Sequence, residues 1–198
     1  MKSLSLNQPH LIIMVGVPGS GKTFFAEKFA ATFGAPYISR DVIMSLLKDP
    51  FAITDDLLYH QIEELLKTRQ SIIVEGITDT RAERLELAKL AHTAGYETLL
   101  VWVQTEPATA KNRHKKDNKP TKARSSEEYD RLAKRFSPPS SIEKLVVISG
   151  KHTYATQAKV ILKKLSEPRA AEVSATSVAP TRSEPTKSAS RRHNITIR

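Results

Sequence analysis

An α/β fold, built on a five-stranded, mainly parallel sheet sandwiched by helices, is predicted by three features of the sequence. Apolar, β-branched runs recur at LIIMV (11–15), PYIS (36–39), SIIVEG (71–76), ETLLVWV (97–103) and KLVVIS (144–149). They lack the apolar–polar alternation of half-exposed strands, as expected of strands buried on both faces. Helix-like sequence separates each run from the next, which is what right-handed crossovers between parallel strands require.

The first run leads directly into GVPGSGKT, residues 16–23, and then into FFAEKFAATFG, a helical stretch ending at Gly34. This is G-x-x-x-x-G-K-[ST] in the strand, loop and helix context that gives the motif its meaning. Gly16, Pro18, Gly19, Ser20 and Gly21 form a loop whose backbone N–H groups converge on a β-phosphate. The helix start adds the positive end of its dipole, Lys22 reaches the β- and γ-phosphates, and the Thr23 hydroxyl ligates Mg²⁺. A P-loop NTPase fold with ATP and Mg²⁺ as cofactors follows. Guanine specificity does not, because none of the seven aspartates has glycine three residues on, and NKPT at 118–121 carries Thr121 where a guanine-reading Asp would stand. No LSGGQ-like signature marks a transporter ATPase, and the length leaves little room for the helical lid domain of AAA machines. A kinase of small molecules or nucleic acid remains.

The second run ends in Arg40 and Asp41, at the carboxyl edge of the sheet where open α/β folds bind ligands. A carboxylate there can take the proton of an acceptor hydroxyl during attack on the γ-phosphate; Asp41 also suits an N-cap for the following VIMSLL. Residues 54–69 have helical spacing of Leu57, Leu58, Ile62, Leu65 and Leu66. The third run closes on Glu75, an acid too costly to bury unpaired and so expected to face the cleft. Thr80 with Glu83 and Ser125 with Glu128 read as capping boxes. After the fourth run, Thr105 is expected as an N-cap, with Pro107 in the first turn of a short helix.

The chain carries a formal net charge of +10 over 198 residues, unevenly placed. Residues 111–124, KNRHKKDNKPTKAR, hold seven Lys or Arg against Asp117 alone, and residues 168–198 hold six basic and two acidic side chains. The remainder is close to neutral, so the protein is not basic all over its surface. Absence of cysteine excludes disulfides and thiolate chemistry and suits a cytoplasmic location; no apolar run approaches a membrane span, so no membrane partner is expected. From Pro168 the composition turns to Ser, Thr, Pro and Ala with scattered Arg, which cannot bury enough apolar surface to order itself. The expected organisation is therefore a kinase domain over 1–167 and a disordered tail over 168–198.

GVPGSGKT, the ISRD junction, the strand ending in Glu75 and the basic segment together resemble the polynucleotide-kinase and zeta-toxin-like branch of P-loop kinases, over roughly residues 10–165. The resemblance implies that Asp41 is the catalytic carboxylate, that Arg40 and Asp41 bind the substrate, and that Glu75 acts on the acceptor or through water on Mg²⁺. Arg84 resembles an acceptor-binding arginine of the family, although its helix reads first as carrying a solvated surface arginine. In these kinases the segment after the fourth strand is a basic lid. Arg113 fits the arginine at the end of its first helix, and Lys116 the basic residue one turn on that helps cover ATP. Ser149 to Thr153 correspond to the place where the family often touches the base. One departure stands out: Met44 replaces an arginine with which polynucleotide kinases grip substrate phosphate.

The expected activity is Mg-ATP-dependent transfer of the γ-phosphate to a hydroxyl of a small molecule, with VIM and Phe51 lining the acceptor pocket. The alternatives are a 5′-hydroxyl polynucleotide kinase, with nucleic acid steered by residues 111–124 and the tail, and a nucleotide-binding regulatory ATPase with little transfer. Lys115, Lys119, Lys122 and Arg124 exceed what a lid needs, and serve either as a solvated rim or as that steering surface.

Overall fold

The computed structural model describes residues 6–47, 50–116 and 125–167, the side chains of residues 50–53 excepted. Lys119, Lys122, Arg124, the Phe51 side chain and the tail from Pro168 therefore lie outside the described residues. In chain order the elements are β1 (His10–Val15), α1 (Lys22–Phe33), β2 (Tyr37–Ser39), α2 (Arg40–Leu46), α3 (Pro50–Leu66) and β3 (Ile72–Glu75). They continue with α4 (Arg81–Thr93), β4 (Glu97–Gln104), α5 (Pro107–Lys116), α6 (Ser126–Arg135), β5 (Leu145–Ser149) and α7 (Tyr154–Leu165). The expected helix over 54–69 starts four residues earlier and stops at Leu66.

The sheet runs in the order β2-β3-β1-β4-β5, and every pairing is parallel. β1, at its centre, is buried along its whole length. Because successive side chains point to opposite faces, its unbroken apolar run feeds two cores. Leu11, Ile13 and Val15 pack with Leu58, Ile62 and Leu66 of α3 and Leu87 and Ala91 of α4. Ile12 and Met14 pack on the other face with Phe25 and Phe29 of α1 and Ile161 and Leu165 of α7. Two helical layers thus explain why alternation is missing from the sequence.

Parallel pairing brings all strand ends to one edge. Met14 stands opposite Glu75, Glu75 opposite Ser39, and Val15 opposite Trp102, so the loops after β1, β2, β3 and β4 open side by side. The turn after β3 is strained. Gly76 has φ +100° and Ile77 has φ +43°, a left-handed conformation that a β-branched residue rarely holds. A Cβ on Gly76 would lie 2.3 Å from the Cβ of Arg40, so only glycine lets the β3–α4 loop lie against the β2–α2 junction. Thr80 then starts α4 with a complete capping box: Glu83 N donates to its hydroxyl, and its own N–H donates to the Glu83 carboxylate.

Candidate active site

The loop of residues 16–21 leaves β1 and delivers the chain into α1, whose first turn has no acidic side chain to cancel its N-terminal partial charge. Gly19 (φ +73°) is pressed against α5. A Cβ there would sit 2.1 Å from the Ala110 carbonyl oxygen and 3.0 Å from the His114 backbone nitrogen. Ser20 is fully buried, and its Oγ has no hydrogen-bond partner among the described residues. Lys22 Nζ donates to the carbonyls of Gly16 (2.7 Å) and Val17 (3.1 Å), holding its charge over the loop.

Thr23 opens toward β3. Its hydroxyl donates to Glu75 Oε1 at 2.8 Å, and Tyr37 OH donates to Glu75 Oε2 at 2.5 Å. Burial and the neighbouring Glu75 push the Tyr37 hydroxyl well above its ordinary value, so it remains a donor. Of the two places expected for Glu75, at the acceptor or beside Mg²⁺, its hydrogen bonds lie at the second: both its oxygens are engaged at the Thr23 end of the cradle. Its cost of burial is met by two hydroxyl donors. Tyr37 was not singled out from the sequence, since an aromatic at the start of a strand reads as core.

Asp41 lies exposed in the first turn of α2, and Ser39 takes the N-cap position, so the capping role considered for Asp41 does not hold. Arg40 is drawn toward α3: its Nε donates to Asp55 Oδ1 at 2.6 Å and its Nη1 to Met44 Sδ at 2.9 Å. Met44 is buried, which accounts for a methionine at this position. Between these groups and the cradle runs the β3–α4 loop. Thr78 Oγ1 donates to the Met14 carbonyl (2.9 Å) at the root of the cradle, and the next residue, Asp79, is half-buried. Desolvation holds its carboxyl above the usual aspartate range, with Lys22, Arg135 and Arg40 pulling it down and Glu83 pushing it up.

Arg84 is neither a surface arginine nor an acceptor ligand. It is 1% exposed, and Glu143, 7% exposed, receives its Nε at 2.7 Å and its Nη2 at 3.2 Å. Its Nη1 donates to the carbonyls of Thr78 (3.2 Å) and Ser137 (2.9 Å), with that of Asp79 at 3.5 Å. Ser137 N donates to the Asp79 carbonyl at 2.8 Å, so the chain returning from α6 is fastened to the β3–α4 loop. An arginine so fully engaged inside the protein has no face left for a substrate.

On the lid side, Thr105 does not cap α5. Its hydroxyl donates to the Ser20 carbonyl at 2.9 Å and joins the β4–α5 turn to the cradle. Arg113 Nη1 donates to the Gly150 carbonyl at 3.2 Å; Gly150 in turn lies so close to the cradle that a Cβ on it would be 2.4 Å from the Ser20 oxygen. Lys116 ends α5, exposed. Tyr129 OH of α6 donates to the Pro107 carbonyl and its ring lies 5.8 Å from that of buried His114, so α6 packs on α5. The structure thus gathers Lys22, Thr23, Glu75 and Arg113 around one loop, sets Arg40 and Asp41 across the β3–α4 loop from it, and removes Arg84 to the interior.

Residues 11–139 match a protein family described as AAA domain. No curated protein matches the chain by sequence. Among solved structures, the chain is similar to a gluconokinase from Sinorhizobium meliloti 1021, at 19% identity and a TM-score of 0.60, over 79% of this chain and 91% of that one. It is similar to a sugar kinase from Janibacter sp. HTCC2649, at 15% identity and a TM-score of 0.56, over 80% of this chain and 94% of that one. It is similar also to Kti12 from Chaetomium thermophilum, solved in complex with ADP-AlF3, at 19% identity and a TM-score of 0.63, over 79% and 100% of the two chains. At such identities the likeness establishes a shared fold, the five-stranded parallel sheet flanked by helices of P-loop proteins. Among the described residues, no helix is long and apolar enough to cross a membrane.

Proposed function

Because the chain belongs to the AAA domain family, which covers residues 11–139, we propose that it is a Mg-ATP-dependent phosphotransferase that moves the γ-phosphate to a hydroxyl of a small molecule. The observation that carries this reading is the strand order β2-β3-β1. It sets Asp41 and the cradle on one sheet edge with a single strand between them. Neighbouring strands are about 4.8 Å apart, so the two lie about 10 Å apart, a span suited to a γ-phosphate and the hydroxyl that attacks it. The ISRD junction at the end of β2 supports membership of the polynucleotide-kinase and zeta-toxin-like branch.

In this mechanism the loop of residues 16–21 and the start of α1 bind the phosphates, and Lys22 offsets charge on the transferring group. Arg113 adds a second cation from the lid, and Lys116 helps cover the nucleotide. The acceptor oxygen forms its bond to the γ-phosphorus as the bond to the β–γ bridging oxygen breaks. Asp41 takes the hydroxyl proton, and ADP leaves with the electron pair. Thr23 and Glu75, joined by their 2.8 Å hydrogen bond, are the oxygen donors expected around Mg²⁺, a hard cation that keeps several waters. When bound, that ion would neutralise charge between the β- and γ-phosphates. Arg40 borders the acceptor.

The test is ADP release from Mg-ATP by the purified full chain against glycerol, D-ribose, D-gluconate and a 5′-hydroxyl oligonucleotide. Stimulation by a small hydroxyl compound is expected. The Asp41→Asn variant should lower kcat by about 10² to 10⁴-fold while leaving ATP binding nearly unchanged. Transfer to the oligonucleotide alone would replace the small acceptor with a nucleic-acid end. Nucleotide binding with no stimulated turnover would make the protein a nucleotide-binding regulator.

A further inference from the structure

Asp79 lies on the β3–α4 loop, between the cradle and the β2–α2 junction, and has no role in the mechanism above. Four contacts fix its backbone. The strained Gly76–Ile77 turn rests on Arg40 and so on the β2–α2 junction. Thr78 Oγ1 holds the Met14 carbonyl at the base of the cradle. Ser137 N and Arg84 Nη1 both point at the Asp79 carbonyl oxygen. Its loop therefore touches the Asp41 side, the cradle and the chain returning from α6.

The side chain is treated otherwise. No hydrogen bond to the Asp79 carboxylate occurs among the described residues, although burial has stripped away part of its water and holds its pKa up. The cations within electrostatic reach are Lys22, Arg135 and Arg40, each already engaged: Lys22 with the cradle carbonyls, Arg135 with Glu83, and Arg40 with Asp55. Left-handed non-glycine residues carry strain of about 1–3 kcal/mol and cluster at ligand sites. A rigid backbone, an outlier two residues away and a partly desolvated carboxylate without a hydrogen-bond donor describe a group arranged for a ligand.

We infer that Asp79 is a second acceptor-binding carboxylate: its side chain accepts a hydrogen bond from a hydroxyl of the acceptor and holds that molecule against the phosphate end of the cradle. The inference rests on the phosphotransferase reading and narrows its substrate to a polyhydroxylated small molecule, because Asp41 engages the hydroxyl that is phosphorylated and Asp79 requires another. A nucleic-acid end would bring its own phosphate toward this carboxylate and be repelled.

The experiment compares wild type with Asp79→Asn on the four acceptors named above. A hydrogen bond to a charged group is worth a factor of about ten to a hundred. The variant should raise the KM of whichever small probe is used by that factor, change kcat less than about threefold, and melt no lower than wild type. In wild type the same KM should rise as the pH is lowered through the raised value of Asp79, a trend the variant lacks. An unchanged KM overturns the inference, as does a collapse of kcat at constant KM, which would make Asp79 the proton acceptor. If wild type transfers to none of the probes, the phosphotransferase reading falls and nucleotide binding decides for Asp79. Loss of a negative charge near Lys22 should favour ATP over ADP several-fold more than in wild type, and an unchanged ratio overturns its placement against the phosphates.

Discussion

Glu143→Gln isolates the buried node behind the cleft. The substitution keeps the size and shape of the side chain and removes one charge, leaving Arg84 1% exposed with only carbonyl oxygens as partners. Of the two guanidinium bonds to Glu143, at 2.7 and 3.2 Å, the glutamine oxygen can accept one, while its NH₂ group turns a donor toward a donor. Breaking a buried ion pair from one side costs about 3–5 kcal/mol. For a domain of this size each kcal/mol moves Tm by about 2–4 °C, so a drop of about 6–20 °C is expected at pH 7. Burial alone would raise the Glu143 pKa, but the bonds from Arg84 and Ser140 prevail and hold it below the ordinary 4.5. A depressed carboxylate contributes its stability above the unfolded value and loses it as the pH falls through the folded one. The gap between wild type and variant should therefore be full near neutrality, begin to narrow as the pH falls past the ordinary glutamate value, and close only below the depressed folded one, where a protonated Glu143 resembles the glutamine. Thermal denaturation across pH 3–8 measures this. A shift under about 3 °C at pH 7, or a gap that widens in acid, would refute the placement of Arg84.

Two further substitutions probe the cradle. Gly19→Ala places a Cβ 2.1 Å from the Ala110 oxygen at φ +73°, so either the loop or α5 must move; calorimetry should find ATP binding weakened at least tenfold, with a strain cost of about 1–2 kcal/mol in stability. Tyr37→Phe deletes the 2.5 Å bond to Glu75 and leaves the fold intact; residues that orient metal ligands typically contribute 10–100-fold, so the Mg²⁺ concentration for half-maximal ADP binding should rise by about that factor, and an unchanged requirement would detach Glu75 from the metal.

What could be read from the sequence was local. The five strands, the cradle and the Thr80–Glu83 box follow from periodicity and from short motifs whose partners lie within a few residues, and all are present. The Ser125–Glu128 pair is present at least in its first half, with Ser125 accepting from Glu128 N. Two misreadings are local, the cap of α2 at Ser39 rather than Asp41 and the bounds of α3, whereas the others involve partners far along the chain. Arg84 sits on an ordinary charged helix, and nothing within ten residues announces Glu143, which lies 59 positions away between SPPSSI and a strand. Tyr37 finds Glu75 across 38 positions, and Thr105 finds Ser20 across 85. Asp79 carried no signal as a lone aspartate in a polar turn; only the fold shows that the turn bends over the cradle. A residue's chemistry is legible from its type, whereas its assignment to core or cleft depends on which distant segment the topology brings beside it.

The Arg84 node also governs where the chain can tolerate change in length. β4 is locked between β1 and β5, and the segment from Ser137 to Glu143 is pinned to α4, so everything from α5 through α6 is an excursion whose two ends are already tied. Residues added between α5 and α6 would enlarge a closed loop at about 0.6 kcal/mol per doubling. The same insertion between Ser137 and Glu143 would pull a buried charge from its counterion. Insertions and deletions should therefore accumulate between α5 and α6 and be excluded from the short stretch behind them, and the corresponding segment of another protein of this fold could be transplanted at those two boundaries without disturbing the sheet.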